Sequence, residues 1–285
     1  MNYRTTIRYK MFLGGVFFSL CSSACLLAAV TASPKFLFLD GTRKSVPVQI
    51  ANTGDDEREV WVEIKFGYVI SDDSGKILLY MDSLDTEGLS AAGWTQVYPK
   101  RFILGPGDSQ TIRLTATPPA SLKEGEYWAR VMITSKPRKP PQASVAPAQT
   151  KQNSGVVLQT QLGLAFHFRA GHVSTGILIS DLNSIVDGAD INVSFRLTRA
   201  GNASYWGTRT LRIVDLAGKV LYAASKNAVV YKSFQVVEKL TQQKGLPHGS
   251  YKIELELATG KRLDIRGDDL LQAAPVRSSI PLVIQ

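Results

Sequence analysis

Apolar and polar side chains alternate along most of this chain, and a two-residue period predicts strands rather than helices. Val46, Val48 and Ile50 alternate with Pro47, Gln49 and Ala51; after a turn at Asn52-Thr53-Gly54, the residues Val60, Val62, Ile64 and Phe66 form the next apolar face. Ile112 and Leu114 follow the turn Gly105-Pro106-Gly107, and Tyr127, Ala129, Val131 and Ile133 continue the pattern. The second half repeats it with Ile191 to Leu197, Leu211 and Ile213, Val220 and Tyr222, Tyr251 to Leu257, and Ile280 to Ile284. Short half-apolar strands separated by regular turns predict an all-β chain of two immunoglobulin-like β-sandwich domains.

One local match ties the halves together. Leu122-Lys123-Glu124-Gly125-Glu126-Tyr127 and Leu246-Pro247-His248-Gly249-Ser250-Tyr251 share L-x-x-G-x-Y, each directly before an alternating strand. A glycine turn followed by a tyrosine at a strand start is the pattern of a tyrosine corner, so one is expected in each half.

Two stretches depart from the strand pattern. The first is the N-terminus. Arg4, Arg8 and Lys10 precede an apolar run from Met11 to Val30, no acidic residue occurs before Asp40, and Val30-Thr31-Ala32 supplies small residues. That order reads as a secretory signal over residues 1–32, cleaved after Ala32, and places the protein in the periplasm. A twenty-residue apolar run can also anchor in a bilayer, but Gly14, Gly15 and three serines dilute this one. Cys21 and Cys25 both lie in it, so an exported mature chain has no disulfide and depends on its cores. About 250 remaining residues divide naturally into two domains, expected at 33–170 and 171–285.

The second departure is residues 136 to 154. Lys136-Pro137-Arg138-Lys139-Pro140-Pro141 opens a stretch rich in Pro, Gln, Ala and Ser that cannot bury apolar area and reads as a flexible loop. From Val156 to Phe168 the even positions then read Val, Leu, Thr, Leu, Leu, Phe, Phe, while the odd positions include Gln159, Gln161 and His167. Thirteen residues in one register span about 40 Å, roughly twice a usual strand. The surplus is an edge that proteins normally blunt, and keeping it points to pairing with another polypeptide.

Around this strand the chain resembles a known family. Asp40-Gly41 leading into Val48-Gln49-Ile50-Ala51-Asn52, the run from Tyr98-Pro99-Lys100-Arg101-Phe102 through Gly107-Asp108 to Leu114, and the strand ending Phe166-His167-Phe168-Arg169 are similar to the first domain of periplasmic pilus-assembly chaperones of the chaperone–usher type. The resemblance covers residues 35 to 170. It implies donor-strand complementation: Val156, Leu158, Thr160, Leu162 and Leu164 would complete the unfinished sandwich of a pilus or surface-fibre subunit, with an outer-membrane usher as a further partner. It also implies a basic pair that holds the subunit's terminal carboxylate. Those positions fall on Phe36 and Ala165 here, and Lys35 and Arg169 are the basic residues nearby. A structural or adhesive component of a surface assembly is the alternative function for such a fold.

Charge and chemistry exclude other classes. The net charge of +9 falls to +6 without the three basic residues of the signal, and Lys and Arg are scattered, so no nucleic-acid partner is expected. His167 and His172 lack a nearby cysteine or carboxylate in sequence and read, with His248, as solvated surface residues rather than metal ligands. Asp72-Asp73-Ser74-Gly75-Lys76 and Asp268-Asp269 read as turns, as does Gly201-Asn202-Ala203-Ser204. Trp94, Tyr98, Tyr205 and Trp206 read as core or turn packing rather than a carbohydrate platform. No catalytic residue, cofactor or small-molecule substrate is expected.

Overall fold

The computed structural model describes residues 30–81, 85–138, 158–188, 190–241, 246–260 and 262–284. Eighteen strands are present among them. The N-terminal half holds β1 (Val30–Ser33), β2 (Phe36–Asp40), β3 (Ser45–Asn52), β4 (Arg58–Lys65), β5 (Gly67–Ser71), β6 (Ile77–Met81), β7 (Thr95–Tyr98), β8 (Arg101–Leu104), β9 (Ser109–Ala116), β10 (Gly125–Pro137) and β11 (Thr160–Ala170), and all of these but β5 and β6 build the N-terminal sandwich. One sheet runs β1-β3-β9-β7 and the facing sheet β2-β11-β10-β4-β8. The inward period of two places Val48, Ile50, Ile112 and Leu114 against Val60, Val131, Ile133, Phe166 and Phe168, all buried in one core. β5 and β6 form a separate hairpin.

The C-terminal sandwich holds β12 (Thr175–Asp187), β13 (Asp190–Gly201), β14 (Tyr205–Asp215), β15 (Val220–Val230), β16 (Ser233–Thr241), β17 (Gly249–Ala258) and β18 (Val276–Ile284). Its sheets run β12-β13-β16 and β15-β14-β17-β18. Val193, Phe195 and Leu197 meet Leu211, Ile213, Ile253 and Leu255 in a second core. Each fully buried large side chain of this kind contributes about 1.5–3 kcal/mol.

Both expected tyrosine corners form. The Tyr127 hydroxyl donates to the Lys123 carbonyl at 2.8 Å, and the Tyr251 hydroxyl donates to the Pro247 carbonyl at 2.8 Å. Gly125 and Gly249 precede them at φ 147° and 158°, values that L residues rarely adopt.

Two local details differ from the sequence pattern. Lys136 and Pro137 begin no loop; they extend β10 by pairing with Glu59 and Arg58 of β4. Residues 139–157, which carry most of the expected loop and Val156, lie outside the described residues, as do residues 1–29. Val30, Thr31 and Ala32, on the signal side of the expected cleavage position, are paired in β1 with Asn52, Ala51 and Ile50, and Val30 is buried.

Candidate functional site

Where β2 lies beside the C-terminal half of β11 and the N-terminal half of β10, the sheet β2-β11-β10-β4-β8 is buried on both faces, and this second face builds the site. Leu37 and Leu39 of β2 point into the first core, so Phe36 and Phe38 point the other way. The same alternation sends Glu126, Trp128 and Arg130 of β10 and Ala165, His167 and Arg169 of β11 toward the C-terminal sandwich. There Trp206 of β14 and Tyr231, just after β15, join Phe38, Phe66, Tyr68 and Trp128 in a third apolar cluster. Tyr231 lies edge-on to Trp128 with ring centroids 5.0 Å apart, and Phe38 stacks on His167 at 4.7 Å. His167 is therefore fully buried between the sandwiches and not a surface histidine.

Glu126 is the polar centre of this contact. Its Oε1 accepts the Trp128 indole N–H at 2.9 Å, the His167 Nδ1–H at 3.1 Å, the Ser204 backbone N–H at 3.1 Å and the Ser204 hydroxyl; its Oε2 accepts Arg169 Nε at 3.0 Å. The turn at Gly201–Ser204 thus reaches across to the first sandwich, and the Glu126 backbone N–H donates to the Asn202 carbonyl at 3.0 Å. Burial disfavours the Glu126 carboxylate, but the adjoining His167 and Arg169 and the Ser204 donor overcome it and hold the group well below the usual carboxylate range.

His167 is pushed below its ordinary value, first by burial and further by the Arg130 and Arg169 guanidiniums, against the pull of Glu126. A neutral imidazole fits both its bonds: Nδ1 donates to Glu126, and Nε2 accepts the Tyr231 hydroxyl at 3.1 Å. Burial raises the Tyr231 phenol, keeping it protonated as that donor. Asp269 completes the contact. Its side chain pairs with Arg43, and its carbonyl accepts Arg169 Nη1 at 2.7 Å. Among the described residues no group of three or more His, Cys, Asp or Glu is placed to hold a metal ion.

The long strand lies beside this contact. β11 pairs with β10 over its whole length, from Thr160 opposite Ser135 to Ala170 opposite Gly125. Its other edge is covered by β2 only over Ala165–Arg169. Among the described residues no strand pairs with that edge over Thr160–Leu164. The Ala165 N–H turns to the β2 side and donates to the Lys35 carbonyl at 3.1 Å. Two-residue alternation then turns the Gly163 and Gln161 N–H groups to the same, uncovered side.

The predicted strand-donating residues divide by position. Leu164 is buried in the first core, Leu162 and Thr160 are half-buried, and Leu158 is 67% exposed just before β11. Val156 lies outside the described residues. The two basic candidates do not converge. Arg169 is bonded to Glu126 and Asp269 with its guanidinium 4.6 Å from the Phe38 ring, whereas exposed Lys35 lines a groove of about 400 Å³ between β1 and Leu162–Ala165.

The same groove contains a residue that the sequence reading passed over. Arg130 of β10 stands directly opposite Ala165 of β11, which in turn stands opposite Phe36 of β2. The row Arg130–Ala165–Phe36 therefore spans the two positions where the family pattern expects its basic pair. Arg130 is 6% exposed, donates from Nη2 to the Tyr231 hydroxyl at 3.1 Å, and has a buried Nε with no partner among the described residues. No carboxylate lies within ion-pair distance of it among the described residues, so a buried cation faces the groove without a counter-charge.

No family model and no curated protein matches the sequence. Among solved structures the chain is similar to the YadV chaperone, at 14% identity and TM-score 0.43 over 90% of this chain and 100% of that one. It is similar to the CupB2 chaperone of Pseudomonas aeruginosa, at 9% identity and TM-score 0.44 over 90% and 100%. It is also similar to a chain of the CsuC–CsuE chaperone–tip adhesion subunit pre-assembly complex from archaic chaperone-usher Csu pili of Acinetobacter baumannii, at 13% identity and TM-score 0.43 over 82% and 94%.

Proposed function

We propose that this chain is an exported periplasmic chaperone that binds a partner polypeptide by strand donation from β11, the partner being a subunit of a pilus or other surface fibre. The observation that carries this reading is the uncovered edge at Thr160–Leu164. There β11 is held rigidly by β10 on one side while N–H and C=O groups on the other remain available. An incoming strand gains a backbone ladder along that edge, and the even-numbered side chains Leu158, Thr160 and Leu162 set its register. Leu164 belongs to the chaperone's own core and fixes the strand in place. The protein acts by binding, with no catalytic step, and an outer-membrane usher would receive the loaded complex.

The groove also supports an electrostatic end to the docked strand. A carboxylate entering it meets Lys35 at the rim and Arg130 at the wall. Arg169 does not take this role, because Glu126 already neutralises it. Satisfying a buried guanidinium with an incoming carboxylate turns an uncompensated charge into a charge-assisted pair.

The test is capture from the periplasm of cells expressing the tagged chain, with the bound polypeptide identified by mass. Leu158→Asp changes an exposed side chain and Gln161→Pro removes an N–H directed at the open side. Both should abolish co-purification while leaving the thermal transition within a few degrees of the parent. Undiminished capture by both variants would refute strand donation.

A further inference from the structure

His167 sits in the middle of a stack that crosses from one sandwich to the other. The rings of Phe38 and Tyr231 lie nearly parallel to its imidazole, with centroids 4.7 and 5.5 Å away and interplanar angles of 21° and 19°. Phe38 comes from β2 and His167 from β11, whereas Tyr231 follows β15 of the C-terminal sandwich. Trp206 meets the imidazole edge-on at 5.2 Å. Aromatic faces attract cations, but both flanking rings already face a guanidinium. Arg169 lies 4.6 Å from the Phe38 centroid and Arg130 lies 5.5 Å from that of Tyr231.

Hydrogen bonds run through this stack in one direction. Arg130 Nη2 donates to the Tyr231 hydroxyl at 3.1 Å, that hydroxyl donates to His167 Nε2 at 3.1 Å, and His167 Nδ1 donates to Glu126 at 3.1 Å. A guanidinium only donates and a carboxylate only accepts, so the two ends fix the direction and leave the imidazole one proton. A second proton, on Nε2, reverses the middle bond. The Tyr231 oxygen then receives two donors, and its own hydrogen has no acceptor among the described residues. A buried O–H without a partner is unfavourable.

The added charge is also poorly compensated. Glu126 is the acid in contact with the imidazole, and it is already paired with Arg169. Arg130 of β10 and Arg169 of β11 both oppose a proton here. Arg199 of β13 lies 5.4 Å from the Trp128 centroid, Arg262 lies over Trp206 but is paired with Asp264, and Asp269 is paired with Arg43. Parting the sandwiches relieves the conflict, because water then solvates the imidazolium and bonds the Tyr231 hydroxyl.

We infer that His167 is an acid-operated latch: with one proton it holds Tyr231 against β11, and with two it parts the sandwiches while each keeps its own core. Acid thereby detaches the C-terminal sandwich from the layer that carries the uncovered edge. The latch concerns the contact alone and stands whether or not β11 donates a strand.

The test follows tryptophan emission, small-angle X-ray scattering and far-UV circular dichroism of the exported chain from pH 7.5 to 5. Trp128 and Trp206 are buried in the contact and report its hydration. Glu126 stays ionised over this range. Burial depresses the His167 value only while the contact is closed, so the closed state is fully kept above pH 6.5 and declines below it. Emission should shift to the red and the maximum dimension should grow reversibly below pH 6.5, with dichroism unchanged. The open-to-closed ratio should rise by at most about tenfold per pH unit, the limit for one proton. His167→Gln, which keeps His172 and His248, should remove the change. Tyr231→Phe deletes the donor that favours a neutral Nε2 and should move the transition to higher pH, a second readout if the first variant fails to fold. Constant emission and dimension down to pH 5 in the parent would overturn the latch. So would an unaltered transition in His167→Gln, or one that Tyr231→Phe leaves in place or moves to lower pH. Dichroism lost in step with the emission would mean unfolding rather than opening, and would overturn it too.

Discussion

Replacing Glu126 by Gln isolates the charge at the centre of the inter-sandwich contact with little change in shape. Glu126 accepts from Trp128, His167, Arg169 and twice from Ser204. A glutamine offers one acceptor oxygen and turns an NH₂ toward donors that need an acceptor. If its oxygen serves the Trp128, His167 and Ser204 donors, the amide faces Arg169 Nε; if it serves Arg169, the other donors are opposed. Either way the Arg169 guanidinium, with 11% of its side chain exposed, loses its only carboxylate partner among the described residues. Breaking a buried pair by removing one partner costs about 3–5 kcal/mol. The Asp269 carbonyl, which keeps Arg169 Nη1 at 2.7 Å, places the expectation at the lower end, about 3 kcal/mol. Urea unfolding at pH 7, read by far-UV circular dichroism and tryptophan fluorescence, measures it. The two signals should separate as the sandwiches lose their coupling. Ser204→Ala should add less in the Glu126→Gln background than in the parent, since both changes act on one network. A loss below about 1 kcal/mol with coincident transitions would refute the reasoning.

The same network predicts acid lability. The folded pKa of His167 lies below 6.5 and that of Glu126 below 4.5, so the unfolded chain takes up protons first in both cases. Stability should hold above pH 6.5, decline below it and fall more steeply below 4.5; a midpoint flat from pH 7 to 4 would contradict this. Removing the Tyr127 hydroxyl by Tyr127→Phe deletes its bond to the Lys123 carbonyl and should cost about 1 kcal/mol of unfolding free energy, and no loss would exclude a structural role for that corner. Because Val30 is buried and β1 is paired from Val30 to Ser33, the intact mass of the exported chain should place its N-terminus upstream of Val30. A terminus at Ser33 would instead show that the fold dispenses with three of the four residues of β1.

Strand positions were legible because the inward faces obey a strict period of two, as at Val48-Ile50 and Ile253-Leu255. The tyrosine corners were legible because L-x-x-G-x-Y combines a turn residue with an aromatic anchor. The buried second face of the β2–β11–β10 layer was not legible. Glu126, Arg130, His167 and Arg169 sit where alternation implies solvent, and only their burial against Trp206 and Tyr231 shows otherwise. A hint was present in the sequence, since Phe36, Phe38 and Trp128 occupy that same outward register. Arg130 was missed for a related reason. Its relation to Ala165 is one of register between neighbouring strands, which the order of residues along one strand does not contain.

Amide hydrogen exchange resolved at Gln161, Leu162, Gly163 and Leu164 in the unliganded protein tests the open edge most directly. Leu162 and Leu164 direct their N–H groups toward β10 and should be strongly protected. Gln161 and Gly163 direct theirs to the uncovered side and should exchange at rates near those of an unstructured peptide. Equal strong protection at all four amides would mean that the edge is sealed within the chain, and strand donation from β11 would fail with it.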